Sequence, residues 1–466
     1  MTSAVGPETN AAMELYRLSP HRVPAPLLRA VATVKIAACR CNRDLGYLPA
    51  DVAETVINNS YRFQRLDDDA LLEEVSLDAY QGGAGTSINM AVNEWLGARS
   101  DVDPHAVVNL HQSTNDVMPT ALRLMMHELL ATLEEAVEAL QGVLQKGERA
   151  HDLTLKIGRT QLRDAAVTTL GREYATWAHA VSRDRWRCFK ARERIREVNL
   201  GGTAVGTGAG APRQYVLKVC RYLQEEVDHP ISRAEHLAEA TSNYDQVVEA
   251  MNAIQCLAVD LRRIASDLRL LSSGPRAGFG ELDIPELLPG SSIMAGKINP
   301  VIPEAVIQAS ERILANDALI GRLASMSELE LNAFFPAISH TVYESITLAL
   351  GATRSMTDYL PLTAPRIDHR TDEATQAQAQ TVALLPLLNY EECTQLLTHA
   401  ENRGQSLRQL LTSAAVLEHE EAEAIFAPSN LVSLGYDEEL YASLRHLRAD
   451  ALRELLAACN KEKPTA

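Results

Sequence analysis

The chain has 466 residues, 46% hydrophobic and 23% charged, with a formal net charge of -17. That length holds two or three domains and a large core, and the composition is ordinary for a globular protein. The acidic balance argues against nucleic acid and anionic membranes as partners, because both need a basic face.

Seven cysteines (Cys39, Cys41, Cys188, Cys220, Cys256, Cys393 and Cys459) are scattered without a CxxC pair. Their odd count and irregular spacing predict reduced thiols in a cytoplasmic protein, not a disulfide framework or a metal site. The first ten residues read as a loose tail without a signal-peptide pattern. No apolar run of about 18 residues occurs, so no membrane span is expected. Rossmann and P-loop glycine patterns are lacking, and no cofactor is expected.

The predicted elements are overwhelmingly helical, and strand-like alternation is scarce. The first glycine-rich joint, Gln81 to Thr86, runs into Thr86-Ser87-Ile88-Asn89-Met90. Hydroxyls at a helix start either bind an anion with the N–H groups there or cap the helix. Gln112-Ser113-Thr114-Asn115-Asp116 then leads into a helix expected to begin near Pro119. Its apolar stripe is Leu122, Met125, Met126, Leu129, Leu133, Val137, Leu140 and Leu144. Lys156-Ile157-Gly158-Arg159-Thr160-Gln161-Leu162-Arg163-Asp164 offers two guanidiniums that match carboxylates, or else a solvated Arg–Asp surface. A second helical pattern runs from about Asp164 to Val198, and a third from about Thr241 to Leu271. Two more follow, one after Pro303 and one from about Pro336 to Leu350. Further glycine-rich joints lie at Gly201 to Ala211 and Ser272 to Gly290. Three regions result: a smaller helical part over 1–110, the long helices over 111–362, and shorter helices over 363–466.

The stretch Gly290-Ser-Ser-Ile-Met-Ala-Gly-Lys-Ile-Asn-Pro-Val-Ile-Pro-Glu304 carries the most chemistry. Glycine lets backbone N–H groups approach a ligand, and successive N–H groups form an anion nest. Lys297 adds a charge and Asn299 a neutral donor. A serine held among such donors has its alkoxide stabilised and becomes a usable base. The loop therefore suits proton abstraction beside a carboxylate. A plain surface turn uses the same residue types.

The order of these residues resembles the signature loop of the aspartase/fumarase superfamily, Gly-Ser-Ser-x-Met-Pro-x-Lys-x-Asn-Pro. The other three polar clusters match that family in the same order. So do Leu200 to Gly208, Asp267 to Arg276 and Leu331 to Pro336, and the similarity covers residues 14 to 435. The resemblance implies an all-α, three-domain fold. Its long helices would form a twenty-helix core in a homotetramer, with active sites shared by three subunits.

It also implies β-elimination of ammonia from L-aspartate to give fumarate. Ser291 matches the base that removes the Cβ proton. Ser292, Thr86, Ser113 and Thr114 would hold the resulting dianion. Lys297, Asn299 and Thr160 would grip the other carboxylate, and Asn115 and Gln161 would face the amino group. Glu304 matches the acid that pairs with a histidine in class II fumarases. Those fumarases have histidine where Gln161 stands, and an amide does not titrate. Gln161 therefore argues against hydration of fumarate.

The chain departs from the pattern in four places. The N-terminal segment and the link from Asn93 to Gln112 are shorter than the family's. Ala295 replaces a proline, and Arg163 replaces a glutamine. An added arginine suits a larger or more anionic substrate, or else pairs with Asp164 or Glu173. Three alternatives follow: a lyase for an N-substituted or β-substituted aspartate, fumarate hydratase, and a non-catalytic protein on a lyase scaffold. Retention of Ser291 and Lys297 speaks against the last.

Overall fold

Helices form wherever the three- and four-residue apolar spacing persists. The computed structural model describes residues 5–366 and 380–461. In chain order the first helices are α1 (Pro7–Leu15), α2 (Ala25–Asp44), α3 (Ala50–Gln64), α4 (Asp68–Glu74) and α5 (Thr86–Ser100). A π-helical turn, Pro104–Val108, precedes α6 (Thr114–Ala150). Next come α7 (Leu170–Arg194), α8 (Arg213–Glu226), α9 (Leu237–Ser242), α10 (Asp245–Leu271), α11 (Val301–Ala324) and α12 (Phe335–Tyr359). Shorter helices follow: α13 (Thr381–Leu384), α14 (Tyr390–Asn402), α15 (Leu407–Ser413), α16 (His419–Ile425) and α17 (Pro428–Leu431), then α18 (Glu438–Lys461).

Among the described residues the strands make three two-stranded ribbons. β1 (Leu155–Thr160) and β2 (Arg163–Thr169) form a hairpin. β3 (Glu197–Val198) pairs with β4 (Ser232–Arg233), and β5 (Leu282–Asp283) with β6 (Ala364–Pro365). The all-α class expected from the sequence is the class observed. No described helix is long and apolar enough to cross a membrane.

The chain divides into two compact units. One comprises Met1–Leu140, Val181–Ala265 and Ile302–Met356; the other comprises Gln141–Ala180, Ser266–Val301 and Thr357–Ala466. In the first, α2 packs against α3 and α8. Most of the α6 stripe is buried as its spacing predicts: Leu122, Met125, Met126, Leu133, Val137, Leu140 and Leu144 are fully covered, and Leu129 is half-buried. Each such side chain contributes about 2 kcal/mol by leaving water. In the second unit, Leu396, Leu411, Ile425 and Tyr441 centre a separate core.

Four expectations are corrected. The pattern from Asp164 begins as β2, and α7 starts only at Leu170, because β-branched Val167, Thr168 and Thr169 favour a strand. The pattern from Thr241 breaks at Asn243, between α9 and α10. α6 starts at Thr114, so Pro119 lies inside it. Pro119 has no N–H for the Asn115 carbonyl, and Asn199 Nδ2 fills that vacancy at 2.9 Å. Finally, the expected loose tail contains α1, whose first turn is capped by Glu94: its carboxylate accepts from the N–H groups of Glu8 and Thr9. Residues 1–4 of that tail lie outside the described residues.

Asp184 on α7 is fully buried beside Asp260, paired with Arg187. Burial, then the neighbouring Asp260 charge, push its pKa up from 3.8 to about 7. The folded chain thus holds a proton that the unfolded chain releases. The stabilisation is complete below the unfolded value and is lost as pH rises through about 7. Asp184→Asn should flatten this loss: thermal unfolding at pH 5 and pH 8 should differ less than in the wild type, by on the order of 3 kcal/mol.

Candidate active site

In the first unit two polar clusters meet at neighbouring helix starts. Thr86 opens α5 after three residues in left-handed backbone, Gly83, Ala84 and Gly85. Gly85 has a φ of 90°, where an L side chain is strained, and a Cβ there would also press within 3.2 Å of Phe335 and Met118. Thr86 is exposed, and its hydroxyl donates to the Gly83 carbonyl at 2.7 Å. Its lone pairs remain for a donor; binding a carboxylate requires the hydroxyl to rotate.

Ser113, Thr114 and Asn115 are half-buried at the start of α6. Ser113 Oγ accepts from the Asn115 N–H at 3.2 Å, so the serine proton is left to donate. Asn115 Nδ2 donates to the Ala204 carbonyl at 2.7 Å. Its Oδ1 is the acceptor that an ammonium would need. Beneath them Asp116 is fully buried. Oδ1 accepts from Ser113 N–H at 2.9 Å; Oδ2 accepts from Gly201 N–H at 2.9 Å and Thr203 N–H at 3.1 Å. One carboxylate thereby ties the start of α6 to the glycine-rich joint after Asn199. Burial pushes its pKa above the ordinary carboxylate value, opposed by those three N–H groups and by Lys35. Glu304 lies in the first turn of α11, half-buried, in the same unit.

The remaining predicted residues belong to the second unit. Thr160 and Arg163 face each other across the hairpin end, joined by Gln161 and Leu162. Both turn residues are left-handed, with φ of 55° and 61°. Two such residues match the twist of a tight hairpin, yet side chains there cost about 1 kcal/mol each. All four residues at this tip are exposed.

The cations of the hairpin differ in what they touch. Lys156 lies 2.6 Å from Glu173 and 3.3 Å from Glu281. Arg159 pairs with Glu281 and Asp164 and covers the Phe279 ring at 4.2 Å. The two carboxylates expected to neutralise Arg163 are therefore engaged by Arg159 and Lys156. Among the described residues Arg163 has no carboxylate partner of its own.

The Gly290–Glu304 stretch begins as a closed loop. Asn299 Nδ2 donates to the Gly290 carbonyl at 2.7 Å, joining the two ends. The Lys297 carbonyl oxygen would lie 1.7 Å from a Cβ at position 290, so only glycine permits this closure. Ser291 is half-buried, and its Oγ accepts from the N–H groups of Ile293 at 3.2 Å and Met294 at 3.0 Å. Two N–H dipoles aimed at one hydroxyl oxygen favour negative charge on it. Ser292 and Lys297 are exposed, and Lys297 has no carboxylate partner among the described residues. Ile293 projects with 87% of its surface open.

The structure links the helix start that carries Thr86 to the one that carries Ser113, Thr114 and Asn115 through Asn89, whose Nδ2 reaches Thr114 Oγ1 at 3.4 Å. Ser291, Ser292, Lys297 and Asn299 lie in one loop, and Thr160 and Gln161 at one hairpin tip. Sequence reasoning missed Lys35, Asn89 and Asn109, which lie under Thr114. One signal was available: Lys35 sits within Val-Ala-Thr-Val-Lys-Ile-Ala-Ala, where no polar helix face exists to hold it. Among the described residues no group of three or more His, Cys, Asp or Glu stands where it could hold a metal ion.

Comparison with known proteins decides the kinship. The family described as Lyase matches residues 9–315. Aspartate ammonia-lyase of Bacillus subtilis (strain 168) is 33% identical over 448 residues, covering 92% of this chain and 93% of that protein. The chain belongs to the aspartase/fumarase superfamily of lyases. Within that superfamily two activities lie at similar distance. Fumarate hydratase class II of Staphylococcus aureus (strain MRSA252) is 31% identical over 440 residues, covering 92% of this chain and 95% of that protein. Among solved structures, fumarate lyase:delta crystallin from Brucella melitensis, bound to cobalt, superposes with a TM-score of 0.86 at 32% identity. It covers 92% of this chain and 95% of its own.

Proposed function

We propose that the protein catalyses β-elimination of ammonia from L-aspartate, giving fumarate, with Ser291 as base. Ser291 Oγ, as the alkoxide, takes the Cβ proton, the Cα–N bond breaks, the carbon–carbon double bond forms, and the α-ammonium group leaves as ammonia. The observation that carries this reading is the pair of N–H groups on Ser291 Oγ, in the same loop as an exposed Lys297 that has no carboxylate partner among the described residues. Those dipoles stabilise the alkoxide, and Lys297 attracts the carboxylate at the other end of the substrate from the one that takes up the charge of the dianion. Asn299 and Thr160 grip the other end of the dicarboxylate together with Lys297. Ser292, Thr86, Ser113 and Thr114 hold the dianion.

Gln161 supports an amine over a hydroxyl as leaving group. An ammonium departs already protonated, whereas loss of water needs an acid that a glutamine amide cannot supply. Asn115 and Gln161 then need only accept hydrogen bonds from the amine. The position that is histidine in class II fumarases is Gln161 here, and we assign Glu304 no proton transfer.

The site is completed in a homotetramer, each active site drawing on three subunits, without a cofactor. Supporting this, α7 exposes the edge-to-face pair Trp186 and Phe189, and α10 exposes Val259. Apolar side chains of that size on long helices suit burial against another subunit. A cytoplasmic location accords with seven free cysteines, six of them buried.

The test is to mix the protein with L-aspartate, and separately with L-malate, and follow fumarate by its absorbance. Fumarate from aspartate but not malate is expected; the reverse outcome assigns the chain to hydration. Arg163 favours a second reading, a substrate with an extra carboxylate on the amino nitrogen. If that reading holds, N-(carboxymethyl)-L-aspartate turns over faster than aspartate. Arg163→Gln then lowers its kcat/KM by about tenfold, the value of one charged hydrogen bond, and leaves aspartate turnover unchanged.

A further inference from the structure

We propose that Lys35 is a positioning residue that sets Thr114 as a hydrogen-bond donor toward a bound dicarboxylate, acting through Asn109 and Asn89. This rests on the reading that Thr114 meets the substrate's carboxylate.

Lys35 is fully buried on α2. Its Nζ lies 3.0 Å from Asn109 Oδ1 and 3.0 Å from Gln112 Oε1. An ammonium only donates, so both amides must present oxygen to it. Asn109 Oδ1 also accepts from Asn89 Nδ2 at 3.2 Å and Asn93 Nδ2 at 3.3 Å. Asn89 must therefore turn its NH2 group inward. That same NH2 reaches Thr114 Oγ1 at 3.4 Å. A hydroxyl that accepts from below keeps its own proton to donate elsewhere. The relay thus fills one acceptor site on Thr114 Oγ1 and leaves its proton to donate.

The orientation is imposed and not incidental. Asn89 Oδ1 and Asn93 Oδ1 are both buried without a hydrogen-bond partner. Turning either amide around would pair its NH2 elsewhere only by aiming its oxygen at the Asn109 oxygen. The ammonium is what makes the observed arrangement the better one. Burial pulls the Lys35 pKa down to about 7, opposed by the nearby Asp116 charge, so the ammonium that orients the amides is the main form below about pH 7. Asp116 therefore serves the same end twice, through charge and through the backbone it holds.

The test is calorimetric binding of succinate to the full-length protein, with Lys35→Met, Thr114→Val and the double variant. Each single variant should weaken succinate by about tenfold, the value of one hydrogen bond to a charged group. If Lys35 acts through Thr114, the double variant is no weaker than Thr114→Val alone, because coupled residues are not additive. Additive losses, or unchanged affinity in a folded Lys35→Met, overturn the proposal. Should Lys35→Met fail to fold, Asn89→Leu breaks the relay one step nearer Thr114 and must show the same loss and the same non-additivity. Wild-type protein that binds succinate yet yields no fumarate from aspartate overturns the deamination reading and spares this one. Wild-type protein that yields fumarate from aspartate yet binds no succinate overturns this proposal and spares the deamination reading.

Discussion

Ser291→Ala lowers the kcat for L-aspartate by about a thousandfold, in the range of a positioned base, while the thermal unfolding temperature stays that of the wild type. The side chain sits in a largely exposed loop, and its hydroxyl accepts two hydrogen bonds from within that loop. No core depends on it. What it supplies is an oxygen on which negative charge is tolerated. Alanine removes that oxygen and leaves the N–H groups of Ile293 and Met294 to solvent. Binding should survive, because Lys297 and Asn299 remain, so succinate affinity is expected to change little. Steady-state kinetics and calorimetry on the same preparation check both halves. An alanine variant with wild-type kcat removes Ser291 from the role of base.

Asp116→Ala destabilises the protein by about 4 kcal/mol, as expected when one member of a buried charged network is removed. Its carboxylate is the shared acceptor of three backbone N–H groups: those of Ser113, Gly201 and Thr203. All three lose their partner, those of Gly201 and Thr203 in a region closed to water, and Lys35 loses the charge that favours its ammonium form. Urea unfolding monitored by circular dichroism measures the loss; a change below about 1 kcal/mol would mean that the loops hold themselves. Asp116→Asn keeps one acceptor oxygen and should lose roughly half as much. Activity should fall with stability, because Ser113 and Thr114 stand on the turn that Asp116 fixes.

The long helices were legible because burial repeats with the helix period. Leu122 to Leu144 on α6 needed only local spacing to be recognised. The errors came where local and tertiary demands diverge. Pro119 reads as a helix start, yet α6 begins five residues earlier, because Asn199 from a distant segment satisfies the carbonyl that proline leaves free. Arg163 reads as one half of a surface ion pair. The hairpin register gives Asp164 to Arg159, and Lys156 takes Glu173. Spacing along the chain cannot say which of three cations will reach two carboxylates.

By itself the sequence determined the all-helical class, the superfamily, and the polar clusters from which a site would be made. These depend on residue type and order within short windows, where chemistry and periodicity act locally. Only the tertiary structure decided how the hydroxyls are aimed. Ser291 gained two N–H donors from a loop pinned by Asn299 on Gly290. Thr114 gained an amide donor on its Oγ1 through a relay from a lysine on another helix, 79 positions earlier in the chain. Hydrogen-bond direction depends on which donors burial brings within about 3 Å. That is a property of packed elements, and no spacing along the chain records it.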